Sequence, residues 1–133
     1  MEIKITFPGG KKVNAEFNGM IVKTDQPPKY GGEGSAPSPF DYFLSSLGTC
    51  AGIYVLGFCE KRNIPVVDIF LLQRLEHEKK GDKVILMKII LEIHLPGDFP
   101  EKYREAVIKV ANQCAVKKSL LNPPDIEVMT KIH

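Results

Sequence analysis

The sequence predicts an α+β fold in which antiparallel sheets pack around one long central helix. Short segments near the N-terminus alternate apolar and polar residues, an apolar segment with helical features follows, and two longer alternating segments come after it. The 133 residues fit a single domain, 1–133, which is large enough to bury a core.

The N-terminal region is predicted to form an antiparallel meander. Apolar and polar residues alternate over residues 2–7 and 12–17, and Asn18-Gly19 is a strong hairpin signal that leads into a third strand at Met20–Lys23. Residues 24–37 are rich in proline and glycine and predict a long surface loop, a type of segment that often carries function.

A long helix is predicted to begin at Ser38. Serine is a good N-cap, Pro39 suits the first helical position, and Asp41 stands where a capping box places an acid. One predicted stripe contains Phe43, Leu47, Cys50 and Tyr54. The middle of the helix is apolar nearly all round, so we expect burial on most sides. About 25 helical residues would span about 37 Å, which suggests that a second subunit covers part of the helix.

The rest of the chain completes the predicted fold. Strands are expected over 65–78 and 83–95, with a turn at 79–82. A helix over 100–113 and a short helical piece over 114–121 come next, and the alternation at Ile126 and Val128 predicts a last strand.

Composition limits the function classes. A net charge of +2, with scattered basic residues, gives no indication of nucleic-acid binding. Three cysteines, an odd number, favour reduced thiols in a cytoplasmic protein over a set of disulfides, and no signal peptide is visible. The histidines show no metal-ligand spacing, and the glycines at 31–34 lack a phosphate-binding context, so we expect no metal and no cofactor.

The apolar segment over residues 40–59 is long enough to cross a membrane and carries a single charge. Serine, threonine and glycine dilute its apolar character, and the strands that follow need a helix to cover them. We therefore expect a core helix and no membrane interaction.

Cys50 and Cys114 are the candidate reactive thiols. Only the thiolate attacks a peroxide, and roughly 3% of an ordinary cysteine is thiolate at pH 7. Because burial disfavours the charged form, an active Cys50 needs a cationic or hydrogen-bonding partner outside its own helix. For either thiol taken alone, simple core packing remains an open interpretation.

Cys59 is expected to pack in the core. Nine helical residues place it on the face opposite Cys50 and about 13.5 Å further along the axis, whereas a disulfide needs Cα atoms within about 7 Å. Cys114 is the remaining candidate neighbour within one chain. Lys117 and Lys118 would lower the pKa of Cys114 if their segment is helical.

Three stretches of the sequence are distinctive: Ser-Pro-Phe-Asp-Tyr-Phe-Leu-Ser-Ser-Leu-Gly-Thr-Cys at 38–50, Ile-Pro-Val at 64–66 after a basic cluster, and Ala-Asn-Gln-Cys-Ala-Val-Lys-Lys-Ser-Leu at 111–120. Together they resemble the OsmC/Ohr family of osmotically inducible and organic hydroperoxide resistance proteins. The predicted order of elements extends the resemblance over nearly the whole chain.

The resemblance implies an intertwined homodimer with the two long helices in its core and the active sites at the interface. It also implies a thiol peroxidase in oxidative-stress defence, with Cys50 as the nucleophile toward a small organic hydroperoxide and Cys114 as the resolving thiol. A dithiol reductant, for instance of lipoyl type, would reset the pair. Phe40, Phe43 and Tyr54 would line an apolar substrate pocket.

Two departures from the family pattern favour its less characterised OsmC-like branch. Active members hold the thiolate with an arginine near the N-terminal strands and a glutamate near the start of the long helix, whereas this chain has no arginine before Arg62. Asp41 stands near the glutamate position, and it is one methylene shorter. Lys23, Lys29 and Glu33 could substitute only if their loop folds inward. The alternative is a non-enzymatic dimer that binds a small apolar ligand at its interface.

Overall fold

Antiparallel strands and helices make up the computed structural model, which describes residues 1–133. The elements are β1 (Lys4–Gly9), β2 (Lys12–Phe17), β3 (Met20–Thr24), a 3-10 helix (Pro28–Tyr30), α1 (Pro39–Glu60), β4 (Phe70–Lys80), β5 (Lys83–His94), a second 3-10 helix (Glu101–Tyr103), α2 (Arg104–Ala111) and α3 (Ala115–Leu121). The predicted α+β class with antiparallel sheets is confirmed.

The chain divides into two compact units, Met1–Ser46 and Leu47–His133. Assignment of 1–133 to a single domain stays a prediction.

The first unit contains the predicted meander, with β2 between β1 and β3. The turn between β2 and β3 follows from its two central residues. Asn18 and Gly19 have φ angles of 49° and 74°, as a type I′ hairpin turn requires. Phe17 and Met20 are therefore directly opposed.

The loop between β3 and α1 is closed on itself by Asp25. The Asp25 N–H donates to the carbonyl of Pro37 at 3.3 Å, and its carboxylate accepts from both the N–H and the hydroxyl of Ser35 and from the N–H of Gln26. These hydrogen bonds, that from the Ser35 hydroxyl first, lower the pKa of Asp25 to about 2. The carboxylate thus remains charged although the residue is only 1% exposed.

α1 begins with the predicted capping box. Ser38 Oγ accepts from the N–H of Asp41 at 3.2 Å, and Asp41 Oδ2 accepts from the N–H of Ser38 at 3.0 Å. Local chemistry at these two residues accounts for the start of the helix.

In the second unit, α1 is buried along one face rather than on most sides. The buried residues of the helix are Leu47, Ala51, Val55, Phe58 and Cys59. The expected stripe through Phe43, Cys50 and Tyr54 is therefore displaced, because the packing of the second unit centres on Ala51 and Val55. Ile53, which points elsewhere, is 58% exposed.

β4 and β5 form a two-stranded antiparallel sheet. Leu71, Gln73 and Leu75 oppose Ile93, Leu91 and Ile89. β4 begins at Phe70 rather than at the expected Pro65, since the preceding residues form a turn in which the N–H of Ile69 donates to the carbonyl of Val66 at 3.0 Å.

The helix expected over 100–113 is present with shorter bounds, as a 3-10 turn followed by α2, which ends at Ala111. The expected last strand was wrong. Residues 123–133 have no regular secondary structure, and Ile126 and Val128 are 87% and 91% exposed. The alternating pattern forms no strand here because no neighbouring strand pairs with it.

α1 is long and apolar enough to cross a membrane by length and composition. One such helix is weak evidence, because the core helix of a soluble protein meets the same criterion.

Candidate active site

Cys114 occupies the junction between α2 and α3, where it caps the N-terminus of α3. Its N–H donates to the carbonyl of Ala111 at 3.3 Å, and its sulfur accepts the N–H of Lys117 at 3.5 Å. The residue is 1% exposed and belongs to a buried cluster with Leu47 and Ala51 of α1. The capping role therefore fixes the sulfur against the long helix.

The second unit brings Cys50 to Cys114. Cys50 is half-buried and packs against the same cluster. Each thiol is among the groups that shift the pKa of the other, so the two side chains are near neighbours, and both are free. Residues far apart in sequence thus form a dithiol within one chain.

The surroundings of Cys50 favour its thiolate. Hydrogen bonds from the N–H of Val116, from the Cys114 thiol and from the N–H of Ala115 lower the pKa of Cys50, against the opposing effect of burial. The backbone donors belong to the first turn of α3, where N–H groups have no partner within the helix. Cys50 therefore has the hydrogen-bonding partner outside its own helix that an active thiol requires.

The surroundings of Cys114 favour its neutral thiol. Burial is the main cause that raises its pKa, and the charge of Cys50 acts in the same direction. The expected influence of Lys117 and Lys118 was wrong: Lys117 lowers the pKa of Cys114 only through its backbone N–H, which does not outweigh burial. The Lys117 ammonium instead donates to Oδ1 of Asn112. The two sulfurs are thus shifted in opposite directions.

The other predicted site residues are distributed over both units. Phe40 and Phe43 lie in the first unit with ring centroids 5.3 Å apart, and they are 55% and 37% exposed. Asp41 is engaged in the capping box of the same unit. Tyr54 is half-buried in the second unit, one helical turn after Cys50. Their catalytic and substrate-binding roles stay predictions.

Two of the residues considered as substitutes for the family's arginine and glutamate have local partners. The Lys29 ammonium lies 5.0 Å from the ring centroid of Tyr30, and Glu33 pairs with Lys12 at 3.2 Å. The third, Lys23, lies in β3. No charged side chain is among the groups that shift the pKa of Cys50.

Cys59 packs in the core. It is fully buried among Val55, Phe58, Phe99 and Val107, and burial raises its pKa while the nearby Arg62 opposes the shift. Its surroundings keep this thiol neutral and away from solvent.

Sequence reasoning missed the backbone donors of Ala115 and Val116, because an N–H group has no side-chain signature. The helical piece predicted from residue 114 onward was an available signal, since every helix start leaves unpaired N–H groups. It also missed Gln73, a polar residue among apolar ones on β4. No group of three or more His, Cys, Asp or Glu residues is arranged to hold a metal ion.

A family model described as OsmC-like protein matches residues 32–129. Among solved structures, an osmotic stress induced and detoxification response protein from Psychrobacter arcticus 273-4 is similar with a TM-score of 0.68 and 21% identity, over 88% of this chain and 85% of that one. An organic hydroperoxide resistance protein OsmC from Legionella pneumophila matches with a TM-score of 0.59 and 19% identity, over 90% of this chain and 89% of that one. An organic hydroperoxide resistance protein from Elizabethkingia anophelis matches with a TM-score of 0.60 and 15% identity, over 92% of this chain and 90% of that one. Among curated proteins, none is similar enough to match.

Proposed function

Because the chain belongs to the OsmC-like family, for which the comparisons support a stress-related, peroxidase-like role, we propose that it reduces organic hydroperoxides with Cys50 and Cys114. The observation that carries this proposal is that the two thiols pack at one buried cluster and that their pKa values are shifted in opposite directions. A chemically equivalent pair would offer no reason for one sulfur to react first.

In the first step, the Cys50 thiolate attacks the distal oxygen of the hydroperoxide. The O–O bond breaks, the remaining alkoxide leaves as the alcohol after taking a proton, and Cys50 becomes a sulfenic acid. The hydrogen bonds from Val116, Ala115 and Cys114 support this role because they increase the thiolate fraction available at neutral pH. Partial exposure of Cys50 gives the peroxide access to the sulfur.

In the second step, the sulfur of Cys114 attacks the sulfur of the sulfenic acid. The S–O bond breaks, the hydroxide takes up the Cys114 proton to leave as water, and a disulfide forms. Burial supports this resolving role, since a neutral and shielded Cys114 does not compete for peroxide. A dithiol reductant, such as one of lipoyl type, then returns both residues to thiols by exchange.

The remaining predicted residues have supporting roles in this proposal. Phe40, Phe43 and Tyr54 supply apolar surface for the organic part of the substrate, and Asp41 helps to orient the reacting groups. Exposed aromatic rings at Phe40 and Phe43 are compatible with a surface that receives an apolar ligand. We propose a cytoplasmic location, because free thiols persist in a reducing compartment.

We further propose that the working form is a homodimer. The support is that each unit leaves large apolar side chains exposed, including Phe7 in the first and Ile53 in the second. Exposed apolar side chains of this kind are what a subunit interface covers.

The test uses fully reduced protein and one equivalent of cumene hydroperoxide, with free thiols counted afterwards. We expect the wild type to lose two thiols per chain and to gain a Cys50–Cys114 disulfide, and Cys59→Ala to behave in the same way. Cys50→Ser should lose none. No thiol loss in the wild type, or equal loss in Cys50→Ser, would contradict the proposal.

A second candidate function is the binding of a small apolar ligand without catalysis. The observation that favours it is that no cationic side chain is among the groups that lower the pKa of Cys50. Under this alternative, native mass spectrometry would detect a co-purified ligand, and alkylation would report a Cys50 pKa near the ordinary value of about 8.5.

A further inference from the structure

Gln73 is the polar exception on the apolar side of the β4–β5 sheet. Its neighbour Leu71, its cross-strand partner Leu91 and the nearby Ile89 all pack against the cluster of Leu47, Ala51 and Cys114. Gln73 itself is half-buried. Burial of a carboxamide lowers the free energy of unfolding unless the group makes hydrogen bonds in the folded chain.

The carboxamide of Gln73 rests against Gly48 of α1. A Cβ atom added to Gly48 would lie 2.8 Å from Gln73 Oε1 and 3.9 Å from Cδ2 of Leu91. Gly52 and Gly57, the other glycines of α1, have no such neighbour within 4 Å. Glycine destabilises a helix interior relative to alanine, so the close approach of Gln73 gives position 48 a specific reason to be glycine.

We propose that Gln73 is a positioning residue for the dithiol: its carboxamide, seated on Gly48, sets the distance between β4 and the turn of α1 from Leu47 to Cys50. That turn carries two groups of the site, since the Leu47 carbonyl accepts the thiol proton of Cys114 at 3.7 Å and Cys50 lies one turn further on. A shift of this turn changes both contacts of Cys114 with α1.

An uncharged amide suits this place. It can hold the helix by contact and hydrogen bonding without adding a negative charge, which would disfavour the nearby thiolate. The consequence for turnover rests on the proposed peroxidase function, but the consequence for thiol geometry can be measured without any peroxide.

The experiment compares Gln73→Met, which keeps the side-chain length and removes the amide, with Gly48→Ala, whose methyl group displaces the amide. The first readout is the pH profile of Cys50 alkylation by iodoacetamide. The second is the rate of Cys50–Cys114 disulfide formation with diamide, which takes up the two protons and two electrons released. Gly57→Ala controls for glycine replacement in the same helix, and Leu91→Met controls for packing at Gly48 at nearly constant volume.

Gln73→Met and Gly48→Ala are each expected to move the alkylation midpoint to higher pH and to slow disulfide formation by at least about fivefold, as small misplacements of reacting groups do. The double variant should be no slower than either single variant, because both remove the same contact. Gly48→Ala should keep or raise the melting temperature, since alanine is the better helix former. With the melting temperature kept or raised, a loss of stability cannot account for slower disulfide formation in this variant.

Wild-type values in Gln73→Met, or equal effects in Leu91→Met, would overturn the inference. If Gln73→Met does not fold, Gly48→Ala decides alone: wild-type values in that variant overturn the inference. A separate outcome is a wild type that shows no reaction with cumene hydroperoxide while the alkylation and disulfide results are as expected. That outcome would refute the peroxidase function and leave the positioning role intact.

Discussion

The sulfur of Cys114 lies 3.7 Å from the carbonyl oxygen of Leu47, one helical turn before Cys50 on α1. Hydrogen bonding from this thiol is also among the causes that lower the pKa of Cys50. A thiol has one proton, so the Leu47 carbonyl and the Cys50 sulfur compete for it. Ionisation of Cys50 makes its sulfur the stronger acceptor of that proton, because hydrogen bonds to a charged group are stronger than those to a neutral carbonyl.

The first prediction concerns the donor role of Cys114. Cys114→Ala removes one of the hydrogen bonds that lower the pKa of Cys50, so the midpoint of Cys50 alkylation should move to higher pH and the rate at pH 7 should fall. Cys114→Ser, which keeps a donor of similar size, is the matched control and should lie closer to the wild type. An unchanged midpoint in Cys114→Ala would mean that the backbone donors alone ionise Cys50.

The second prediction concerns the fate of the sulfenic acid. In the wild type, Cys114 is already beside Cys50, so condensation should outpace a second oxidation. Under excess cumene hydroperoxide, Cys114→Ser should accumulate Cys50 carrying two added oxygen atoms, which intact-protein mass spectrometry detects. The wild type should contain the disulfide instead. Equal overoxidation in both proteins would argue against a resolving role.

Local rules predicted much of the fold from the sequence. Asn18-Gly19 forms its turn because both residues accept positive φ, and Ser38 with Asp41 forms its capping box because the interacting groups are three residues apart. Such features depend on neighbours in the chain. The C-terminal pattern at Ile126 and Val128 failed as a strand because a strand also needs a partner that is distant in sequence.

The site was predictable only in part for the same reason. Spacing along α1 separates Cys50 from Cys59, but no local rule brings Cys50 to Cys114; that expectation came from resemblance to a family. The donors at Ala115 and Val116 are backbone groups, whose positions depend on where α3 packs. The opposite pKa shifts of the two thiols follow from tertiary contacts, which residue types alone do not specify.

A third prediction concerns acid stability. The pKa of Asp25 is about 2 in the folded chain and 3.8 ordinarily, so its charged form is favoured by folding. This contribution is present above pH 3.8 and is lost as pH falls toward 2. Asp25→Asn should therefore lower the free energy of unfolding at pH 7, and the difference from wild type should shrink across that range. Urea unfolding at several pH values measures it, with the exposed turn substitution Asp82→Asn as control. A difference independent of pH would contradict the role of the charge.

A fourth prediction concerns the end of α1. The Arg62 guanidinium lies 3.6 Å from the ring centroid of Phe58 and 5.2 Å from that of Tyr103, and it donates to the Phe58 carbonyl at 3.0 Å. Arg62→Met should cost about 1 kcal/mol of unfolding free energy, as exposed cation–π contacts do. Lys61→Met removes a neighbouring exposed cation and should change stability little. Equal effects of the two substitutions would show that net charge, not ring contact, matters.

The last prediction tests the proposed dimer through Ile53, an apolar residue of α1 that is 58% exposed in the isolated chain. If a second copy covers this side of the helix, Ile53→Glu buries a carboxylate without a partner, at a cost of at least about 3 kcal/mol. The dissociation constant of the dimer should then rise by at least about 100-fold, which sedimentation equilibrium over a range of concentrations would measure. Ile108→Glu changes a similarly exposed isoleucine on α2, at 55%, and serves as the matched control that should remain dimeric. A monomeric wild type would contradict the proposed dimer. An Ile53→Glu variant that dimerises as tightly as the wild type would show that Ile53 lies outside the interface, because a buried carboxylate there would raise the dissociation constant.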